Sequence, residues 1–218
     1  MDTPTLSHIA HELRTPLALI HSRLQLIEAE QPQIKLQKNW IYLTENIRDM
    51  GELISQLTEM SRPLSKDRTI LNLHELLLEL IDDFLLQGNN DELLLSLESS
   101  PEATLVSTSF PGNRLSLKQI FTNLIKNALE ATEGQFSQIV QISLSITPTH
   151  LCIEVWDNGP GISADILPKL YMPYITTKAY GTGIGLSIVK DLIQEQGGLL
   201  EAENHDHGAI FRVLLPRP

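Results

Sequence analysis

Cysteine is nearly missing from this chain of 218 residues: Cys152 is the only one. A single thiol forms no internal disulfide, which excludes a disulfide-stapled scaffold and fits a reducing compartment. Cys152 lies in an alternating apolar run, so packing is its expected role. Positive charge is also scarce. The 16 Lys and Arg face 27 Asp and Glu, for a formal net charge of -11 and a pI of about 5.0. Nucleic-acid binding relies on clustered Lys and Arg, so this balance argues against it. No apolar run approaches the roughly 20 residues that cross a bilayer. No basic start followed by an apolar stretch marks a signal peptide. The expected location is therefore the cytoplasm, as a free chain or as the cytoplasmic portion of a membrane-anchored sensor. Internal repeats and low-complexity tracts are absent.

What is present is ordinary in bulk and specific in pattern. Hydrophobic residues make up 42% and charged residues 20%, enough for one large domain or two small ones. Up to about residue 64, two helices are predicted. Leu6, Ile9, Leu13, Leu17, Ile20, Leu24 and Ile27 recur at steps of three or four. So do Trp40, Leu43, Ile47, Met50, Ile54 and Leu57. These are heptad-type seams. Gln31-Pro32-Gln33 interrupts them and Pro63 stops the second. One hairpin cannot bury such seams well, whereas two hairpins in a four-helix bundle can, so residues 1–64 are expected to form a homodimer.

From about residue 70 the pattern mixes strands and helices. Helices are predicted over 73–84, 115–131 and 185–196, and strands over 92–97, 104–109, 139–146, 151–156, 199–203 and 210–215. Pro148-Thr149 would close a hairpin, and Ser61 to Asp67 reads as the linker. The fold class expected is α+β multidomain: an antiparallel helical hairpin over 1–64, then an α/β sandwich over 65–218 with a mixed sheet and helices on one face.

Five strings carry chemistry. His11-Glu12-Leu13-Arg14-Thr15-Pro16-Leu17 lies on the first helix. At about 100° per residue, His11 and Thr15 project away from the apolar seam, so His11 should face water. A neutral imidazole is a competent nucleophile toward a phosphoryl group near pH 7. Glu12 can accept a hydrogen bond from the other ring nitrogen. Asn123-Leu124-Ile125-Lys126-Asn127 puts two amides on one helical face, and amide oxygens suit Mg²⁺ beside nucleotide phosphates. Asp157-Asn158-Gly159-Pro160-Gly161-Ile162 follows a strand directly. There a carboxylate can accept from an adenine amino group, and Gly159 and Gly161 allow close approach. Tyr171-Met172-Pro173-Tyr174-Ile175-Thr176-Thr177-Lys178 comes next, with Lys178 able to reach phosphates. Gly181-Thr182-Gly183-Ile184-Gly185-Leu186 opens a helix, whose free N–H groups attract phosphate. It follows no strand and no GxxxxGK[ST] string occurs, so dinucleotide and P-loop folds are disfavoured.

Taken in order, these strings resemble the histidine, N, G1, F and G2 boxes of sensor histidine kinases, and the resemblance covers essentially the whole chain. It implies a Bergerat-type ATPase domain behind a dimerising phosphoacceptor domain. It also implies ATP and Mg²⁺ as cofactors, autophosphorylation of His11, and transfer to an aspartate on a response-regulator receiver domain. Catalytic residues by this resemblance are His11, Glu12 and Thr15, the last two also fitting a phosphatase role toward the regulator. Nucleotide would be held by Asn123, Asn127, Asp157, Gly159, Gly161, Lys178, Gly181, Gly183, Gly185 and Leu186, with Asn127 and Asn123 on the metal. The stretch 162–180 would be a mobile lid.

Three departures from the family pattern stand out. Ala128-Leu129-Glu130-Ala131 lacks a lysine that many relatives carry, the lid has tyrosines for phenylalanines, and Ala209 replaces a common threonine. Two rival readings are a phosphotransfer scaffold with a silent ATPase-like half, and an ATP-driven conformational machine. The first would lack the Asn, Asp and Gly ligands, and the second would lack the histidine box. The expected whole is a core whose sensor lies upstream.

Overall fold

The computed structural model describes residues 6–60, 68–87, 93–101, 103, 108–176 and 183–217, without the side chains of 6–11, 45, 48, 49, 52, 53 and 55–60. The predicted linker 61–67 lies outside these residues, as does most of the predicted strand 104–109. The chain divides into two compact units, Met1–Leu64 with Thr176–Ile184 and Ser65–Ile175 with Gly185–Pro218.

The first unit contains α1 (Leu6–Glu30) and α2 (Lys38–Met60). Between them Pro32 opens a 3-10 turn, Pro32–Leu36, and Gln37 turns extended, which ends the hairpin connection. Leu17, Leu24, Trp40, Ile47 and Ile54 are buried, with Ile27 and Ile34 packed against them. Their seven-residue steps are the rungs that face the sister helix. The intervening rungs, Leu13, Ile20, Leu43 and Met50, stay exposed at 43–52%. Among the described residues, one hairpin thus buries alternate rungs of its seam and leaves the others exposed. At the closed end, Trp40 Nε1 donates to Glu28 Oε1 at 2.9 Å and Lys35 Nζ lies 3.3 Å from Glu28 Oε2. The Trp40 hydrogen bond, then Lys35, holds the Glu28 carboxyl below its usual value.

The second unit is built on a five-stranded sheet. Its strands are β2 (Leu93–Ser99), β4 (Gln138–Ile146), β5 (His150–Asp157), β6 (Leu199–His205) and β7 (Gly208–Pro216), in the order β2-β4-β5-β7-β6. β2 and β4 are parallel and every other pair is antiparallel, so the sheet is mixed. Period-two alternation aims Val140, Ile142, Leu144, Leu151, Ile153, Val155, Val213 and Leu215 to one buried face. Helices α3 (Leu73–Gln87), α4 (Arg114–Ala131) and α5 (Gly185–Glu195) pack there. On the other face Arg212 meets Glu154 (Nε to Oε1 2.6 Å), Glu203 (3.1 Å) and Glu201 (3.4 Å). Cross-strand pairing thereby neutralises part of the acidic excess, and the Glu154 hydrogen bond foremost raises the Arg212 guanidinium's affinity for its proton.

A second, two-stranded sheet was not predicted. β1 (Thr69–Asn72) pairs antiparallel with β3 (Ser109–Gly112). Pro111 lies within β3, and a two-stranded ribbon has only edges, where proline is tolerated. Helix starts have local causes. Asn72 Oδ1 accepts from His74 N at 3.1 Å and from Thr108 Oγ1 at 2.7 Å, and Asn113 Oδ1 accepts from Ser116 N at 3.0 Å. Glu79 bridges α3 to α4 through Arg114 and Lys118, and the Lys118 hydrogen bond leads in lowering its carboxyl.

The β6–β7 turn brings Gly208 against the end of β5. A Cβ on Gly208 would strike the Asp157 carbonyl oxygen. Gly208→Ala is therefore expected to cost about 3 kcal/mol or more by forcing β7 away from β5. Urea denaturation checks this, and unchanged stability would contradict the close approach.

Candidate functional site

Two of the candidate glycines in the second unit, Gly185 and Gly159, meet one stripe of α4. Asn123, Asn127 and Ala131 are spaced four apart, so they lie on one helical face over about 12 Å of axis. Asn123 Nδ2 donates to Gln119 O at 3.0 Å, and its Oδ1 lies 3.3 Å from the position of a Cβ on Gly185, the first residue of α5. Eight residues on, the carbonyl oxygen of Ala131 lies 2.8 Å from the position of a Cβ on Gly159. Asn127, half-buried, sits one turn from each. The amide face of α4 thus runs from the α5 N-terminus at one end to the glycine turn after β5 at the other. Leu186 is half-buried in the first turn of α5.

The glycine turn is held from two sides. Asp157 ends β5, only 2% exposed, and its Oδ1 accepts from the Gly159 N–H at 2.9 Å. Asn158 ties the turn to the start of β4: its Oδ1 accepts from Ile139 N at 2.9 Å and its Nδ2 donates to Ser137 O at 2.9 Å. On the far side Asn204 of β6 accepts from Ile162 N at 2.6 Å and donates to Ile162 O at 2.8 Å. Gly161 has φ 76°, and a Cβ there would fall 2.8 Å from Asn204 Oδ1. Glycine is demanded by both conformation and space. Asn158 and Asn204 were missed as site-builders. The signal for Asn204 was its place as the last inward residue after Leu200 and Ala202.

Not every predicted residue is placed. Lys178 and Gly181 lie outside the described residues. The His11 backbone is in α1, but its side chain is outside them, so the predicted outward aim of the imidazole rests on the helical period alone. Glu12 and Thr15 are exposed on α1. Gly183 has φ 64°.

Within the segment expected as a lid, a short 3-10 turn spans Leu167–Lys169. The Tyr171 hydroxyl is buried and finds no hydrogen-bond partner among the described residues. Lys190 Nζ lies 5.5 Å from its ring centroid. Burial, with Glu201 adding, pushes this phenol up from 10.0 to about 12. The unfolded chain loses the proton near 10.0 and the folded chain only near 12, so this contribution to stability is full below pH 10 and is lost as pH rises toward 12. Tyr171→Phe should match or exceed the parent at pH 8, by up to about 1 kcal/mol, and be less sensitive to a shift to pH 11. A less stable variant at pH 8 would mean that the hydroxyl is paired after all.

Comparison with known proteins agrees with this arrangement. Residues 5–66 match the His Kinase A (phospho-acceptor) domain, and residues 112–218 match the histidine kinase-, DNA gyrase B-, and HSP90-like ATPase family. The sensory histidine kinase/phosphatase NtrB of Rhizobium meliloti is 31% identical over 226 residues, covering 96% of this chain and 57% of that protein. The chain thus spans less than two thirds of the length of that relative. The solved catalytic domain of histidine kinase ThkA is 30% identical with TM-score 0.61, covering 69% of this chain and 97% of that one. ThkA in complex with response regulator protein TrrA is 26% identical with TM-score 0.72, covering 96% of this chain and 60% of that one. With a phosphoacceptor domain ahead of an ATPase domain, the chain belongs to the sensor histidine kinase family.

Proposed function

We propose that this chain transfers the γ-phosphoryl group of ATP to His11 and then passes it to an aspartate of a response-regulator receiver domain. The observation that carries the reading is the single amide face of α4, which reaches both the Asp157 turn and the first residue of α5. Asp157 would accept from the adenine amino group. Gly159 and Gly161 leave room for the base, and the α5 N-terminus with Gly181, Gly183, Gly185 and Leu186 would receive the phosphates. Lys178 would add positive charge. The residues of α4 fit Mg²⁺: Asn127 and Asn123 are neutral oxygen donors, and Asn123 spends its N–H on Gln119, leaving the oxygen toward α5. Bound there, the ion would neutralise charge on the phosphate oxygens.

His11 would attack in line, forming an N–P bond as the P–O bond to ADP breaks. Glu12 would hold the other ring nitrogen. In the reverse sense, Glu12 and the exposed Thr15 would orient a water that hydrolyses the phosphorylated regulator. Residues 1–64 serve as dimerisation and phosphotransfer domain and 65–218 as catalytic domain. The exposed rungs Leu13, Ile20, Leu43 and Met50 support a homodimeric four-helix bundle. The chain is read as acting in the cytoplasm.

Incubation with γ-labelled ATP and Mg²⁺ tests the reading. Label on the protein should be lost in acid and retained in alkali, as for a phosphoramidate. Label that survives acid, or none, would refute it.

A further inference from the structure

Asn204 lies outside the five motif strings, and it closes the glycine turn through both ends of its side-chain amide. Its side-chain amide accepts from Ile162 N–H and donates to Ile162 C=O, at 2.6 and 2.8 Å. It acts as an extra peptide group at the end of edge strand β6. Only an Asn-sized primary amide gives both bonds: Asp would set a carboxylate against the Ile162 carbonyl, and Ala would leave both groups of Ile162 without it. Along the sheet, Asp157, Ala209 and Asn204 stand in one register row across β5, β7 and β6. The middle member carries only a methyl group.

We propose that Asn204 is a positioning residue for adenine recognition, pinning Ile162 so that the Gly159 amide holds the Asp157 carboxylate in its reading orientation. This rests on the assignment of Asp157 to the adenine amino group. The links are consecutive. Asn204 fixes Ile162, Gly161 at φ 76° hands that position back along the turn, and Gly159 N–H donates to Asp157 Oδ1 at 2.9 Å. Without Asn204, Ile162 loses its tie to β6, and the turn is held from the β4 side by Asn158 through Ile139 and Ser137. The carboxylate would then wander, and selectivity for the amino group would fall further than affinity for nucleotides in general.

The test measures ADP and inosine diphosphate binding, each with Mg²⁺, by calorimetry on the full chain. Inosine carries an oxygen where adenine carries the amino group. The parent should prefer ADP. Asn204→Ala should weaken ADP by about tenfold and inosine diphosphate by less than about twofold, so that the preference collapses. Asn204→Asp, nearly isosteric but setting a carboxylate oxygen against the Ile162 carbonyl, should likewise lower the preference for ADP, and it keeps the test open if the alanine variant does not fold. Equal losses for both nucleotides, or an unchanged preference in both variants, would overturn the positioning role. A parent that binds both nucleotides equally would instead refute the Asp157 assignment beneath it.

Discussion

His11→Gln is expected to lower label incorporation from γ-labelled ATP by at least about 1,000-fold while leaving ATP affinity within about twofold of the parent. The reason is chemical. A glutamine amide keeps polarity and approximate size but has no lone-pair nitrogen basic enough to attack phosphorus. His11 belongs to the first unit, whereas Asn123, Asn127 and Asp157 belong to the second. Loss of the acceptor therefore should not disturb the nucleotide ligands. Filter-bound label read beside a nucleotide-binding titration separates the two effects. Label persisting in the variant would move the acceptor elsewhere. Loss of binding together with label would mean that residue 11 supports the nucleotide site.

Asp157→Asn should do the opposite, removing nucleotide affinity and, through it, labelling. Asp157 is buried, and one oxygen already receives the Gly159 N–H at 2.9 Å. An asparagine can keep that acceptor, so the turn survives. Its NH₂ must then occupy the second position. A donor would face the donor amino group of adenine where an acceptor stood. Losing a charge-assisted hydrogen bond and opposing two donors together cost about 3 kcal/mol, or roughly 100-fold in affinity. The fold should be retained, because the side chain stays polar and isosteric. Calorimetric titration with ADP checks this. An affinity within threefold of the parent would remove Asp157 from the base-reading role.

Much of the architecture was legible because periodicity was strong. The α1 and α2 seams, the 139–146 and 151–156 strands and the 115–131 helix all lie within the elements found. The β1–β3 ribbon was not legible. Four residues, Thr69–Asn72, are too few to display alternation, and their partner Ser109–Gly112 carries Pro111-Gly112. Such pairing is fixed by tertiary contact, which no local pattern encodes. The site followed the same division. Asn123, Asn127, Asp157, Gly159, Gly161 and Gly185 could be named as candidates because each stands in a string that resembles a family box, and the structure sets Asn123 beside Gly185 and Gly159 beside Asp157. Asn204 could not, since it sits in a polar run, Glu203-Asn204-His205-Asp206, that reads as a solvent turn. Its partner Ile162 lies 42 residues away, and only the β5-β7-β6 order brings the two together.

Direct mapping of the phosphorylated position goes to the heart of the proposal. Chain incubated with ATP and Mg²⁺, digested under alkaline conditions and analysed by mass spectrometry should carry one phosphoramidate, on the peptide containing His11. A phosphoryl group found on a serine, threonine or another histidine of this chain would contradict it.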